Sequence, residues 1–250
     1  MIDLNADLGE GFGAWVMGAD EALLDQVTSA NIACGFHAGD PRTMDAAVAR
    51  AAARGVAIGA HVSYPDLVGF GRRQLRVSAE ELITDVLYQI GALEAFCRRH
   101  GTAVRYVKAH GALYNDLAGD QQLAGALGQA VAAYNSDLSV LVLAGSPAVE
   151  VLRHQGLRVV PEGFADRGYS PDGRLIPRGQ PGAVLTDPAG VAERGWRIAT
   201  GTPIEAHDGS AIVLAVDSLC VHGDTPGAVD VVRELRAVLS ARAVEVAAFT

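Results

Sequence analysis

The chain has no basic run. Its arginines are scattered, Asp plus Glu outnumber Lys plus Arg by 29 to 20, and the formal net charge is −9. A nucleic-acid partner needs a concentrated basic face, so that class is excluded. Long apolar runs are missing too: no stretch approaches the ~18 apolar residues of a membrane span without a charge or a cluster of glycines. The chain opens directly on a strand-like segment carrying Asp3, Asp7 and Glu10. That is neither the basic start nor the apolar middle of a secretory signal, and a cytoplasmic location is expected. Cysteine is scarce. Cys34, Cys97 and Cys220 are odd in number and show no C-x-x-C spacing, which fits buried thiols in a reducing compartment rather than a disulfide framework.

Common catalytic signatures are absent as well. There is no G-x-x-x-x-G-K-S/T phosphate loop, no G-x-S-x-G elbow and no H-E-x-x-H, which removes the commonest ATP-binding, serine-hydrolase and zincin readings. Gly9-Glu10-Gly11-Phe12-Gly13-Ala14 formally matches a dinucleotide fingerprint. Glu10 would set a negative charge against the pyrophosphate, however, and no helix of the right length follows.

What is present is a repetition. Seven times an apolar or small-residue run ends in a polar cluster and hands over to a helical pattern. The clusters are Asn5, Asp7 and Glu10; His37 and Asp40; His61 and Asp66; Lys108, His110 and Asn115; Ser146; Asp166 and Arg167; and Asp217, His222 and Asp224. Carboxyl ends of parallel strands share one edge, so polar groups there converge on one crevice or barrel mouth. Four of the seven histidines fall at such ends, while His100, His154 and His207 fall in helix ends or loops. Strands are read at 2–7, 29–35, 56–61, 104–109, 139–144, 157–162 and 212–221, where short apolar runs lack helical spacing. Leu82, Ile83, Val86, Leu87, Ile90, Leu93 and Cys97 form one helical stripe behind a Ser78/Glu81 capping box. Further helix starts are read at Asp40-Pro41, Ser146-Pro147, Asp187-Pro188 and Thr225-Pro226. Alternating strands and helices imply a parallel sheet. With seven strands and 250 residues we expect a single domain, residues 1–250, folded as an irregular seven-stranded (β/α) barrel.

Two segments break the pattern. Residues 161–182 hold four prolines and five glycines, and so long a structureless stretch reads as a functional loop or lid. Residues 61–73 are a shorter relative carrying Arg72 and Arg73. Asp208-Gly209 reads as a hairpin turn just before the last barrel strand.

Helix capping accounts for Asp40, Ser146, Asp187 and Asp224, each within two residues of a proline that opens a helix. His61 and His110 end hydrophobic strands, and Lys108 shares a strand face with His110, as Asn5 does with Asp7. The bland alternative is a satisfied polar plug in the barrel end, although such layers usually consist of bulky apolar side chains. His222 could cap its strand, and Cys220 is read as an inert buried thiol. What remains is a carboxylate and histidine site with one lysine and several arginines, suited to proton transfer on an anionic substrate. Asp7, His61 and His110 have the ligand types of a divalent ion, but spacing alone assigns none.

The strings DLNADLGEGFG, TSANIACGFHAGDP, GVAIGAHVSYPDLVGFGRR, YQIGAL, VKAHGALYN, FADRGY, LIPRGQPGAV and CVHGDTPGAV closely resemble the LamB/YcsF family, in order and over residues 1 to about 230. The resemblance implies an irregular seven-stranded barrel related to glycoside hydrolases and polysaccharide deacetylases. It also implies ATP-dependent opening of 5-oxoproline to L-glutamate in a complex with separate B and C subunits. ATP is then a co-substrate bound mainly by those partners. Ala6, Val62 and Ala109 stand where the family usually has Cys, Pro and Pro, so no charged or histidine position is lost. With this resemblance, Asp7 or Glu10 is expected to orient water, His61 and His110 to act as acid or oxyanion donors, and Lys108 with an arginine to hold a carboxylate. Asn5, His37, Asn115, Arg72, Arg167 and His222 are expected to complete the substrate site. A carrier protein that only presents 5-oxoproline, and a stand-alone metal-dependent deacetylase or amidohydrolase, are the competing readings.

Overall fold

The computed structural model describes residues 1–222 and 227–250. From the amino end the elements are β1 (Asp3–Leu8), α1 (Asp20–Leu24), β2 (Ser29–Ala33), α2 (Pro41–Ala53), β3 (Ala57–Val62), α3 (Ala79–Arg99) and β4 (Tyr106–Ala109). Next come α4 (Gly111–Leu117), α5 (Gln121–Asn135), β5 (Ser139–Leu143), α6 (Pro147–His154) and β6 (Arg158–Phe164). The chain continues through α7 (Pro188–Ala199), β7 (Ile204–Glu205), β8 (Ala211–Ile212), β9 (Ser218–Cys220) and α8 (Ala228–Ala241). Among the described residues, β1 to β6 and β9 pair in parallel and close into a seven-stranded barrel, with β9 between β6 and β1. This is the expected architecture.

Strand alternation sorts the side chains. Leu4, Ala6 and Leu8, Ala30 and Ile32, and Ile58, Ala60 and Val62 join the apolar shell under the helices, while Asp3, Asn5, Asp7, Ser29, Asn31 and Lys108 are also buried, on the alternate face. A small second cluster of Tyr106, Leu141, Val160 and Phe249 plugs the barrel interior, Phe249 meeting Tyr106 edge-on at 5.2 Å. On α3, Leu82, Val86, Ile90, Leu93 and Cys97 are buried, and the capping box forms in full, Ser78 N donating to the Glu81 carboxylate at 2.7 Å.

Several sequence readings need correction. The stretch read as one strand at 212–221 is two: β8 pairs antiparallel with β7 around the Asp208-Gly209 turn, and only β9 enters the barrel. The hairpin is therefore a sheet of its own. The segment read as loop from 161 first completes β6, in which Pro161 and Glu162 pair with Val142 and Leu143. Asp40 and Asp187 do cap, accepting from Arg42 and Thr43 N and from Gly190 N respectively. Ser146 does not; its side chain makes no cap bond and its hydroxyl is buried without a partner. Asp224 and the Thr225-Pro226 start lie outside the described residues.

Gly59 on β3 stands opposite Tyr106 on β4, and a Cβ there would overlap the Tyr106 ring. Gly59→Ala should therefore destabilise by about 3 kcal/mol, read in a thermal melt at about 2–4 °C per kcal/mol for a chain of this size. Gly91→Ala, on an exposed turn of α3 with open space around it, should instead stabilise by about 0.5–1 kcal/mol.

Candidate functional site

Lys108, the chain's only lysine, points into the barrel and is 2% exposed. Its ammonium lies 2.8 Å from Glu162 Oε1, 3.0 Å from Asn5 Oδ1, 3.3 Å from Asp7 Oδ1 and 3.1 Å from Cys220 Sγ. Asn5 donates to Glu162 Oε1 and Ser218 Oγ, both at 2.8 Å. Asn31 donates to Asn5 Oδ1 at 2.7 Å and Asp7 Oδ1 at 2.8 Å, and itself accepts from the Tyr106 hydroxyl at 2.7 Å. Deeper still, Asp3 accepts from the hydroxyls of Thr28, Ser29 and Ser218. Burial would lower the Lys108 pKa, but Asp7, Cys220 and Glu162 hold it well above the usual 10.5. Burial likewise would raise Asp7, yet His61 and Lys108 hold it well below 3.8. The interior is thus an anchored ion pair in a hydrogen-bonded cage.

Above this network sit three imidazoles and a second carboxylate. His61, at the end of β3, faces the Lys108 carbonyl with Nδ1 at 3.3 Å, Asp7 Oδ1 with Nε2 at 3.3 Å and His110 Nδ1 at 3.0 Å. His110, just before α4, points Nε2 at the Phe70 carbonyl at 2.9 Å and Nδ1 at Glu10 Oε1 at 3.4 Å. His37 stacks on His110, ring centroids 3.9 Å apart and 6° from parallel, and its Nε2 is 3.3 Å from Glu10 Oε1. The loop after β3 makes this packing feasible because Gly71 has φ 62° and no Cβ, which would collide with Ser63 Oγ and crowd His110 and His37. One oxygen or nitrogen from each of Glu10, His37, His61 and His110 lies within 4.8 Å of all the others. This set could hold a metal, and it differs from the sequence reading of Asp7, His61 and His110. Asp7 Oδ1 is already engaged by Asn31 and Lys108.

A cavity of about 470 Å³ opens over this cluster, with Asp7, His61, Lys108, His110 and His222 among its lining and Arg72, Arg167, Arg174 and Arg178 around them. Asn115 lines it too, exposed on α4, with its amide turned back to the Gly111 carbonyl at 3.1 Å. Asn5 does not reach the cavity; it belongs to the cage below. His37 and Glu10 also stay off the lining, behind His110. His222 is not a strand cap. It pairs with Asp166, Nδ1 to Oδ2 at 2.9 Å, and lies along the Phe164 ring. Arg167 is buried and donates to the carbonyls of Ala183 and Ile176, bracing the 165–187 loop; burial and the nearby Arg178 bring its pKa down to about 10. Arg72 packs over Phe70 at 4.9 Å, while Arg73 is turned away and pairs with Asp66. Glu162, Asn31, Tyr114, Arg174 and Arg178 escaped the sequence reading. The one signal for Glu162 was alternation: a charge between Val160 and Phe164 on one face of a strand.

The sequence matches the LamB/YcsF family over residues 2–250. It is 56% identical over 238 residues to a 5-oxoprolinase A subunit of Pseudomonas syringae pv. tomato, covering 95% of this chain and 93% of that one. It is 55% identical over 249 residues to the 5-oxoprolinase A subunit of Streptomyces avermitilis, covering 100% of both. The crystal structure of the lactam utilization protein from Thermus thermophilus superposes with a TM-score of 0.94 at 46% identity over 99% of each chain. A peptidoglycan N-acetylglucosamine deacetylase shares the fold, with a TM-score of 0.52 at 12% identity over 99% of this chain and 85% of that one. Among the described residues no helix is long and apolar enough to cross a membrane.

Burial, followed by the neighbouring imidazoles, holds both His37 and His110 well below the usual 6.5. Unfolding releases them to about 6.5, so below that pH the unfolded chain binds protons that the folded chain refuses. Stability should therefore fall as pH drops through 6.5, by at most about 1.4 kcal/mol per pH unit for each group. Urea unfolding at pH 8, 6.5 and 5 measures this. His37→Phe, which keeps a ring in the stack, should flatten the slope.

Proposed function

Because this chain belongs to the LamB/YcsF family, we propose that it acts in the cytoplasm as the A subunit of a 5-oxoprolinase, opening 5-oxo-L-proline to L-glutamate together with B and C subunits and ATP. Relatives named as 5-oxoprolinase A subunits match it along nearly their whole length. The observation that carries the reading is the meeting of Asp7, His61 and His110 on one cavity wall beneath a set of arginines. ATP is the co-substrate of the complex, and its chemistry falls mainly to the partners because this chain has no phosphate loop.

Ring opening adds water to the lactam carbonyl carbon, breaks the ring C–N bond and leaves a proton from that water on the departing nitrogen. A positioned imidazole can take and return such a proton. His61 and His110 are both oriented by backbone carbonyls, those of Lys108 and Phe70. Asp7, held well below the usual carboxylate range, acts as a fixed negative charge beside His61 rather than as the base, and the Glu10 carboxylate stands 3.4 Å from His110 Nδ1. Such preset charges favour the charge that develops during the reaction. Lys108 directs its protons inside the barrel, so the substrate carboxylate falls to the arginines, with Asn115 and His222 facing the lactam amide. A divalent ion at Glu10, His37, His61 and His110 would, when bound, take up the free lone pairs of these imidazoles and supply Lewis acidity in place of their proton transfer.

The purified chain should bind 5-oxoproline in a calorimetric titration, and adding the partner subunits and ATP should release glutamate. His110→Ala should then lower turnover roughly 10²–10⁴-fold with folding intact, and Asp7→Asn should lower it as well. Unchanged kcat with raised KM in both variants would support the carrier reading instead. Lactam turnover by the chain alone, without ATP, would support a free-standing amidohydrolase.

A further inference from the structure

We propose that Glu10, His37, His61 and His110 form a binding site for one divalent transition-metal ion, of the class that takes imidazole and carboxylate ligands. This holds whether or not the chain turns over a lactam.

The case begins with where the protons are. His61 Nδ1 faces the Lys108 carbonyl and His110 Nε2 faces the Phe70 carbonyl, and a carbonyl can only accept, so each of those nitrogens is the one that carries the hydrogen. In the neutral rings, His61 Nε2 and His110 Nδ1 are therefore bare lone pairs, and they face each other at 3.0 Å. Two carboxylate oxygens look at the same spot, Glu10 Oε1 at 3.4 Å from His110 Nδ1 and Asp7 Oδ1 at 3.3 Å from His61 Nε2. Asp7 Oδ1 is balanced by the Lys108 ammonium and the Asn31 amide, and Glu10 Oε1 has His37 Nε2 at 3.3 Å. The facing pair of ring nitrogens is what a bridging proton or a cation would hold together.

Spacing favours the cation. Ligands at about 2.0–2.1 Å around a tetrahedral ion stand about 3.4 Å apart. The edges seen here are 3.0 Å for His61 to His110, 3.4 Å for His110 to Glu10 and 3.3 Å for His37 to Glu10, and no pair in the set exceeds 4.8 Å. The carbonyls behind His61 and His110 are the outer partners that orient metal-bound imidazoles and strengthen them as ligands. His37 fits less completely, because its Nδ1 is buried without a partner. Asp7 stays outside the set since Lys108 and Asn31 already hold its oxygen. Entry is open, because His61 and His110 line the cavity. Three imidazoles and one carboxylate select zinc, cobalt or nickel over calcium or magnesium, which demand oxygen ligands.

The test uses the full chain, stripped with a chelator and titrated with Zn²⁺ in a calorimeter, then with Co²⁺ followed by visible absorption. The expected result is one equivalent bound, with a Co²⁺ d–d band that marks nitrogen and oxygen coordination, and a rise in Tm on adding Zn²⁺. Glu10→Gln and His37→Ala should each weaken binding at least about tenfold and abolish the band. Glu10→Gln keeps the shape of the site, so it serves if the His37 variant fails to fold. Absence of stoichiometric binding at millimolar metal would overturn the proposal and leave a bridging proton. Binding of unchanged affinity in both variants would also overturn it, placing the ion elsewhere, for example at His222 and Asp166. Neither arm uses 5-oxoproline, partners or turnover, so its failure and that of the 5-oxoprolinase reading are told apart.

Discussion

The buried ammonium of Lys108 is the constraint around which the barrel is arranged. A charge removed from water is tolerated only when paired and hydrogen-bonded, and removing one partner of such a pair costs about 3–5 kcal/mol. Lys108 meets that demand with Glu162 from β6, Asn5 and Asp7 from β1, and Cys220 from β9. Asn31 on β2 and Tyr106 on β4 extend the same network. Five of the barrel strands are therefore tied through their interior side chains as well as their backbones. A slip of one residue in any of them would turn its polar group into the apolar shell under the helices, so the network also sets register.

The same network divides labour. Its lower part, from Asp3 to Asn5 and Glu162, lies beneath the cavity, whereas Lys108 and Asp7 reach the cavity floor and Asp7 touches both Lys108 and His61. Asp7 joins the buried ion pair to the histidine cluster above it. Its low pKa follows from that double contact, as a carboxylate held by an ammonium and an imidazole stays ionised despite burial. The Lys108 ammonium is taken up by its buried partners, and the other cations of the cavity lining are the four arginines Arg72, Arg167, Arg174 and Arg178.

The alternation of apolar runs and polar clusters was enough to read the barrel, because parallel strands buried on both faces and capped helices leave strong local signals. Ser78 with Glu81, Asp40 and Asp187 are of this kind. The convergence of His61, His110 and Lys108 was legible too, since all three lie at strand ends. Glu162 and Asn31 were not, because a single polar residue inside an apolar strand looks like noise until closure places it opposite Lys108 and Asp7. Local pattern also failed at 212–221, where the apolar run carries no mark of the break that closing the barrel between β6 and β1 imposes. Ser146 shows the reverse error: Ser-Pro has the composition of a cap, but the hydroxyl makes no cap bond. The grouping of Glu10 with His37 rests on the stacking of His37 upon His110, 73 positions later in the chain, which no spacing rule encodes.

The Phe70 carbonyl that holds His110 belongs to a residue with φ 55°, in a loop whose own Leu67 and Val68 side chains face water. The next residue, Gly71, accepts the amide of Ala112 at 2.8 Å, fastening the loop to the first turn of α4. The imidazole and this exposed loop are consequently one mechanical body. The tautomer of a histidine deep in the barrel mouth is dictated from the solvent side, by a peptide group 40 positions earlier in the chain. A nick or graft between 66 and 71 would free that ring from its carbonyl without touching any side chain of the cavity wall.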